Sequence, residues 1–147
     1  MVEVMVLPVD VDSFDYRFNK TLNEDVKLKS DEYGKWDLDM CNGDYVNVTG
    51  LVSLNNACII AIMTRFNEVK TDTYDGFGCK AHELIKDNKT KLTLFKLETY
   101  IEDVLNDMRR VQEVNYVDIS ENTSESYHVN FSVTSINDET IKGSVAL

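Results

Sequence analysis

The residues best suited to acid–base chemistry form an acidic cluster near the middle of the chain. Glycoside hydrolysis uses two carboxyl groups, one as the acid and the other as a base or nucleophile. The general acid also needs an apolar pocket that raises its pKa. The sequence provides no such pocket for any member of the cluster, so no catalytic residue is assigned. The cluster comprises Glu68, Asp72, Asp75 and Glu83.

The cysteines offer a second type of chemistry. Cys79 and His82 are three residues apart and would meet on one helical turn, and a thiol beside an imidazole can act as a nucleophile. That spacing alone does not specify a catalytic pair. Cys58 lies in an apolar segment and is expected to be a small buried side chain. With Cys41, the cysteines are odd in number and lack paired spacing, which favours free thiols in a protein folded in the cytoplasm.

Metal-binding patterns are incomplete. Asp10, Asp12 and Asp15 are spaced like the start of a calcium loop. The sixth and twelfth positions of such a loop need glycine and glutamate, and here they hold Asp15 and Thr21. The two histidines are far apart in sequence, so a zinc site lacks ligands. We therefore expect a solvated acidic loop, with no metal and no cofactor.

A basic pair, Arg109-Arg110, follows the most regular helical pattern of the chain. One interpretation is that these charges complement the dipole at the C-terminal end of that helix. The alternative is a planar, bidentate ion pair with a partner protein, which guanidinium groups form well. The sequence leaves both interpretations open.

The charge of the chain narrows the classes of partner. The protein has 147 residues, 43% of them hydrophobic, and a net charge of −11. Residues 1–50 carry −6, residues 51–100 carry +1 and residues 101–147 carry −6. An acidic surface repels nucleic-acid phosphates and anionic membranes. No apolar stretch is long enough for a transmembrane helix, and a basic segment typical of a secretory signal is missing at the start.

Short strands and hairpins are predicted in residues 1–50. Val2, Val4 and Val6 alternate with other residues before Pro8. Two-residue alternation recurs in 26–29, 36–40 and 45–48. Asn42-Gly43 is a strong hairpin signal because both residues accept positive φ.

Three helices are predicted in the central part. Ser53 is a candidate N-cap for a helix that reaches about residue 66 and is apolar on more than one face, so we expect it to be buried. Asn67 would then be its left-handed cap. A short helix is predicted over 80–86. Apolar residues three and four apart predict an amphipathic helix over 91–108.

Alternating residues in 111–119, 127–134 and 140–147 predict a three-stranded antiparallel meander with turns at 121–124 and 137–138. Val111, Val117 and Ile119 share one parity, whereas Val114 and Tyr116 have the other. The predicted fold class is therefore α+β in a single domain. Its parts are β-rich (1–50), helical (53–108) and a C-terminal antiparallel sheet (109–147).

Four features in order resemble a known family across about residues 25–135. Residues 42–44 with Gly50 resemble a turn before a central helix, and residues 62–68 resemble the pattern Leu-x-Thr-x-x-Gly-Glu. Residues 74–78 resemble an aromatic and glycine loop, and residues 100–105 leading to Arg110-Val111 resemble a late helix with a Glu-Pro-Arg junction. The set is similar to the baseplate wedge proteins of contractile phage tails and tailocins, the baseplate protein W-like or lysozyme-like family, in its Bacillus-type defective-prophage branch.

The resemblance implies which residues form the structural motif and the contact with neighbouring wedge subunits. Asn67 replaces the motif glycine, which a left-handed position tolerates. At the junction only the arginine remains of Glu-Pro-Arg. The implied motif residues are Thr64, Asn67, Glu68, Gly76 and Gly78, and the implied wedge contact is Met108, Arg109 and Arg110.

The resemblance further implies a structural subunit of the inner baseplate ring that starts the tail sheath by strand exchange. The last predicted strand would provide an open edge whose N–H and C=O groups accept a sheath strand. The residues assigned to this edge are Ile141, Lys142, Gly143, Ser144 and Val145.

The partners implied are other wedge proteins, the tail sheath protein, and hub or tube-initiator proteins, with six copies per baseplate. The implied location is the virion tail baseplate, after assembly in the host cytoplasm. The family label suggests a competing class, a peptidoglycan-degrading lysozyme-like tail enzyme. A free-standing regulatory or binding domain is the third alternative.

Overall fold

The N-terminal part folds into three short antiparallel strand pairs in this computed structural model, which describes residues 13, 20–33, 35–72, 75–121 and 126–147. Strand β1 pairs with β6, β2 with β3, and β4 with β5. The strands are β1 (Glu24–Val26), β2 (Leu28–Ser30), β3 (Trp36–Leu38), β4 (Met40–Cys41), β5 (Asp44–Tyr45) and β6 (Asn47–Thr49).

Some sequence predictions fall outside the described residues. They are the strand at Val2, Val4 and Val6, the acidic loop of Asp10, Asp12 and Asp15, the aromatic residue Tyr74, and the turn at 122–124.

The predicted hairpin turn is confirmed. Asn42 and Gly43 have φ values of 53° and 80° and form the two-residue connection between β4 and β5. Positive φ at both positions matches the right-handed twist of the flanking strands, which explains why Asn-Gly is favoured here.

Helix α1 spans Gly50–Met63 and begins four residues earlier than predicted. Thr49 is its N-cap, and Ser53, the predicted cap, is instead fully buried inside the helix. The prediction of heavy burial is confirmed, because apolar residues at almost every position leave few polar side chains to face water. The buried residues are Ser53, Leu54, Asn56, Cys58, Ile59, Ala61 and Ile62.

The prediction of three central helices is wrong, because the described residues between 50 and 108 contain only two α-helices. The segment expected to be a short helix over 80–86 is a single 3₁₀ turn, Lys80–Glu83. The backbone N–H of Leu84 donates to Ala81 and that of Asp87 donates to Leu84, both with the i→i+3 spacing of a 3₁₀ helix. So short a segment cannot offset the cost of nucleating an α-helix.

Helix α2 spans Lys91–Asn106, two residues shorter than predicted. The hydroxyl of Thr90 caps it by accepting a hydrogen bond from the Thr93 N–H at 3.2 Å. The amphipathic pattern is confirmed, since one face is buried against the sheet. That face comprises Thr93, Leu97, Ile101 and Leu105.

The predicted C-terminal meander is confirmed. Strands β7 (Val111–Glu121), β8 (Tyr127–Ser135) and β9 (Thr140–Ala146) form one antiparallel sheet in the order β7-β8-β9. Asp138, with a φ of 62°, lies in the turn between β8 and β9.

The predicted parity of β7 is wrong because the strand contains two bulges. Val111 pairs with Ser135 and Glu113 with Thr134, which leaves Gln112 as an extra residue. A second register shift between Val114 and Tyr116 leaves Asn115 as another. Each extra residue reverses the alternation, so Val114 joins Val111 and Val117 on the inner face.

One hydrophobic core joins these elements. Helix α1 contacts β9, α2 contacts β7, and the two helices contact each other. The largest fully buried side chains come from both helices, from β8 and β9, and from Leu22. None of the described helices is long and apolar enough to span a membrane.

Candidate interaction surfaces

Strand β9 lies at an edge of the sheet, and its register with β8 determines which backbone groups point outward. Tyr127 and Leu147 exchange two hydrogen bonds of 2.9 Å each. In an antiparallel pair such hydrogen-bonded positions alternate with positions whose N–H and C=O point away from the partner strand. Ile141, Gly143 and Val145 therefore bond to β8. The residues whose backbone groups face the outer edge are Thr140, Lys142, Ser144 and Ala146.

The same alternation divides the side chains of β9 between the core and the surface. Ile141 and Val145 are buried, whereas Lys142 is exposed. At Gly143 an added Cβ would lie within 3.0 Å of the Phe131 ring and 2.5 Å from Asn55 Oδ1. Glycine at 143 thus allows helix α1 and the neighbouring strand to approach β9 closely.

One outward-facing group of β9 already has a partner. The indole Nε1 of Trp36 donates a hydrogen bond to the carbonyl oxygen of Ser144 at 3.2 Å. Trp36 opens strand β3 and packs against the hydrophobic core, half-buried. Sequence reasoning assigned Trp36 to a strand but gave it no functional role. Trp36 is the only tryptophan in the chain and lies in a polar hairpin, and this could have indicated a specific role for it.

Strand β7, at the opposite edge of the sheet, is less regular than β9. Strand β7 is bulged twice, and the side chain of Asn115 is tied across the second bulge to β8. Its Nδ2 donates to the Ser132 hydroxyl at 3.1 Å, and the Thr134 hydroxyl donates to its Oδ1 at 3.2 Å. Bulges interrupt the regular spacing that a further strand needs. Strand β9 pairs with β8 over seven consecutive residues without a register shift.

Arg110 joins three parts of the chain. Its Nη1 donates to the carbonyl oxygen of Leu22 at 2.5 Å and to the hydroxyl of Ser53 at 3.3 Å. Burial lowers the pKa of the guanidinium, and the nearby Cys58 and Asp25 oppose that shift, yet an arginine stays charged in proteins. One nitrogen of the Arg110 guanidinium therefore forms hydrogen bonds inside the protein, whereas the Arg109 side chain is exposed.

The five residues of the implied structural motif lie in one loop, here named the motif loop and defined as residues 64–68 and 75–79. Its two halves run side by side. The Cys79 N–H donates to the Thr64 carbonyl at 2.8 Å, and the Phe66 N–H donates to the Cys79 carbonyl at 3.2 Å. At Gly78, whose φ is 109°, an added Cβ would lie within 3.0 Å of the Arg65 carbonyl. Only glycine permits this approach.

Asn67 adopts a left-handed φ of 60°, as predicted, although not as a helix cap. Helix α1 ends at Met63, and Asn67 lies in a tight turn in which the Glu68 N–H donates to the Arg65 carbonyl at 3.0 Å. The Asn67 side chain accepts a hydrogen bond from the Gly76 N–H at 2.6 Å. This contact joins the two halves of the motif loop.

Two cavities connect the motif loop with the C-terminal half of α2. One of about 390 Å³ is bordered by Phe66, Tyr100 and the carboxyl-bearing Asp103 and Asp107. The adjoining one, of about 300 Å³, is bordered by Met108 and by loop residues including Gly76 and Gly78. Met108 therefore lies beside the motif loop. Arg110 borders neither cavity and instead contacts Leu22 and Ser53.

The residues considered for acid–base chemistry are dispersed on the surface. All four carboxylates of the acidic cluster are exposed. Glu68 Oε2 accepts a hydrogen bond from the Arg65 N–H at 3.2 Å, within the tight turn. These surroundings differ from the apolar pocket that a general acid requires.

Cys79 and His82 make separate contacts. The sulfur of Cys79 accepts a hydrogen bond from the Ala81 N–H at 3.5 Å, and His82 Nε2 lies 2.9 Å from the Ile62 carbonyl oxygen. Burial raises the pKa of the Cys79 thiol, which disfavours the nucleophilic thiolate. Cys58 is completely buried, as predicted, and burial raises its pKa to about 12.

Comparison with known proteins adds no relative to this description: no protein-family model matches the chain, and the curated proteins give no match.

Proposed function

We propose that this chain is a structural baseplate wedge subunit of a contractile tail, which links the inner baseplate ring to the first sheath ring and initiates sheath assembly. In this proposal β9 accepts an extended arm of the sheath protein, and the motif loop with Met108, Arg109 and Arg110 meets other wedge proteins. The protein acts without catalysis, in the virion baseplate, after assembly in the host cytoplasm. Six copies per baseplate and contacts with hub or tube-initiator proteins belong to the same proposal.

The observation that carries the proposal is the regular outer edge of β9. Thr140, Lys142 and Ala146 direct backbone N–H and C=O groups outward, and no partner for these groups occurs among the residues that the structure describes. Such groups form a ready template for an added strand. The bulges of β7 favour β9 over the other edge.

The test uses a proline at the one position where it would block strand addition with little damage to the sheet. The N–H of Lys142 faces outward, so Lys142→Pro removes a group offered to a partner but no hydrogen bond to β8. Lys142→Ala removes the same charge and keeps the N–H. We expect K142P to stop sheath polymerisation on isolated baseplates, whereas K142A supports it, as seen by electron microscopy. Normal sheathed tails from K142P would refute strand exchange at β9.

Deleting the whole strand is a less specific test. Ile141 and Val145 belong to the hydrophobic core, and Gly143 lies against helix α1. Removing residues 139–147 would therefore destabilise the protein itself, and lost assembly would have two explanations. The single-residue pair at position 142 separates them.

The charge distribution supplies a second test. Both acidic thirds would face protein partners, so we expect the partner arms to carry complementary positive charge. Attachment should weaken as the salt concentration rises, because ions screen exposed charges. Attachment that is insensitive to ionic strength would assign the acidic residues to solubility alone.

The enzyme alternative has its own test. A peptidoglycan-degrading protein would clear peptidoglycan in a zymogram, and Glu68→Gln should abolish that clearing if Glu68 were the general acid. Clearing by the purified protein that is lost in E68Q would overturn the structural proposal. No observation on the described residues favours this alternative, since the Glu68 carboxylate is exposed and caps a backbone turn. A free-standing regulatory domain would be favoured if neighbouring genes encoded no sheath or tube proteins.

A further inference from the structure

Trp36 occupies space beside β9 that an added strand would need. Neighbouring strands lie about 4.8 Å apart, joined by hydrogen bonds of about 2.9 Å. The carbonyl oxygen of Ser144 points away from β8, and the Trp36 indole nitrogen lies 3.2 Å from it. The indole N–H thus takes the position of a backbone N–H from a fourth strand.

The hairpin that carries Trp36 is separate from the C-terminal sheet. Strands β2 and β3 pair only with each other among the described residues, with Ser30 opposite Trp36. A salt bridge of 3.4 Å between Lys27 and Asp39 lies at the other end of this hairpin. The indole ring borders an apolar groove of about 340 Å³ together with Leu28 and Ile60. The Trp36 side chain can therefore move away from Ser144 without breaking the backbone pairing of β2 with β3.

We infer that Trp36 is a latch on the β9 edge, which an incoming strand of the partner must displace before it can pair beyond Lys142. This inference rests on the proposed function, because it concerns the same edge. The occupant is an extended protein segment whose backbone N–H replaces the indole N–H at the Ser144 carbonyl. Thr140 and Lys142 lie outside the latched part and offer the first pairing positions.

The latch has a consequence for the protein alone. With the indole N–H in place, the regular edge is interrupted at Ser144, which protects the chain from pairing with a second copy. Trp36→Phe removes the N–H and keeps an aromatic ring in the groove. Because one neutral hydrogen bond is lost, strand addition should tighten about threefold to tenfold.

The first experiment uses a second copy of the chain as the probe strand. Sedimentation velocity compares the wild type, W36F and the double variant W36F/K142P over a range of concentrations. We expect W36F to self-associate at lower concentration than the wild type and the proline to reverse this. If W36F is destabilised, shown by its Tm, Trp36→Leu serves as the second variant, because it also lacks a hydrogen-bond donor. Equal self-association of the wild type and the folded variant would overturn the latch.

The second experiment uses the purified sheath protein and the emission of the sole tryptophan. Binding should shift the emission of wild-type protein to longer wavelength, as the indole leaves its half-buried position. Sheath binding that K142P blocks, without any emission shift and with equal affinity for W36F, would refute the latch and leave the proposed function standing. Self-association that W36F enhances, together with no sheath binding, would refute the proposed function and leave the latch standing.

Discussion

Arg110 donates a hydrogen bond to the carbonyl oxygen of Leu22, a residue 88 positions earlier in the chain. Leu22 is almost completely buried, so its carbonyl would lose its charged partner in Arg110→Ala. We expect R110A to lower the free energy of unfolding by about 2–3 kcal/mol, since an unsatisfied buried acceptor adds to the lost bond. Chemical denaturation measures this loss.

Arg110→Lys is the matched variant, because it keeps the charge but lacks the planar fork of donors. It should recover only part of the stability. Wild-type stability in R110A, combined with a loss of wedge assembly, would instead assign Arg110 to a partner contact alone.

A side chain at position 143 should destabilise the protein. An added Cβ would meet the Phe131 ring and Asn55 Oδ1, so these side chains would have to shift. Gly143→Ala should therefore cost about 1–3 kcal/mol through overpacking. Ser144→Ala, one residue further on the opposite face, should change the stability by less than about 0.5 kcal/mol. Equal melting temperatures for the two variants would show that β9 and α1 are not in close contact.

The two glycines of the motif loop separate backbone strain from steric contact. Both Gly76 and Gly78 have positive φ, but only at Gly78 would an added Cβ meet the Arg65 backbone. Gly76→Ala should cost about 1–2 kcal/mol through the left-handed conformation alone. Gly78→Ala should cost about 2–5 kcal/mol, because overpacking is added to that strain. Thermal unfolding of both variants under one condition tests this order, and a smaller loss in G78A than in G76A would contradict it.

The three cysteines should react at different rates. Cys41 is exposed, whereas burial raises the pKa of Cys58 to about 12 and that of Cys79 above its usual value. At pH 8 we expect a thiol reagent to modify Cys41 rapidly and the other two only on unfolding. Cys41→Ser should remove the fast phase and leave the slow phases unchanged. A fast phase that persists in C41S would contradict the burial of the other two thiols.

The same burial makes stability depend on alkaline pH. The Cys58 thiol stays protonated in the folded protein up to about pH 12 but ionises near 9.0 when unfolded. The unfolded state therefore binds fewer protons above pH 9, so the free energy of unfolding should fall as the pH rises from 9 towards 12. Urea denaturation across this range measures the slope. Cys58→Ala should reduce the slope, and an unchanged slope would assign it to other groups.

Local sequence signals identified the elements that depend on neighbours in the chain. Short-range rules determine the Asn42-Gly43 turn. They also determine the apolar face of α2, which places Leu97 and Ile101 in the hydrophobic core. Bulges are not readable from a two-residue period, so the inward position of Val114 was missed. The helix predicted over 80–86 failed because apolar composition does not distinguish a single turn from a helix.

The candidate site was only partly predictable for a different reason. The edge residues 141–145 follow from alternation, but the contact between Trp36 and Ser144 joins residues 108 positions apart. The Arg110–Leu22 hydrogen bond likewise depends on the packing of α1 against the end of α2. Such contacts arise from tertiary packing, which a single sequence does not encode in local spacing.

The two bulges of β7 leave the C-terminal sheet with only one edge, that of β9, whose pairing is regular. A sheet with two regular edges could add a strand on each side, and copies of it could then join into an open-ended fibre. Here β7 is irregular along its first half. Strand β9 pairs with β8 without a register shift, and Trp36 occupies only its Ser144 carbonyl. If β9 accepts a strand as proposed, we expect each chain to take up one strand, and copies of the chain should not join into a fibre.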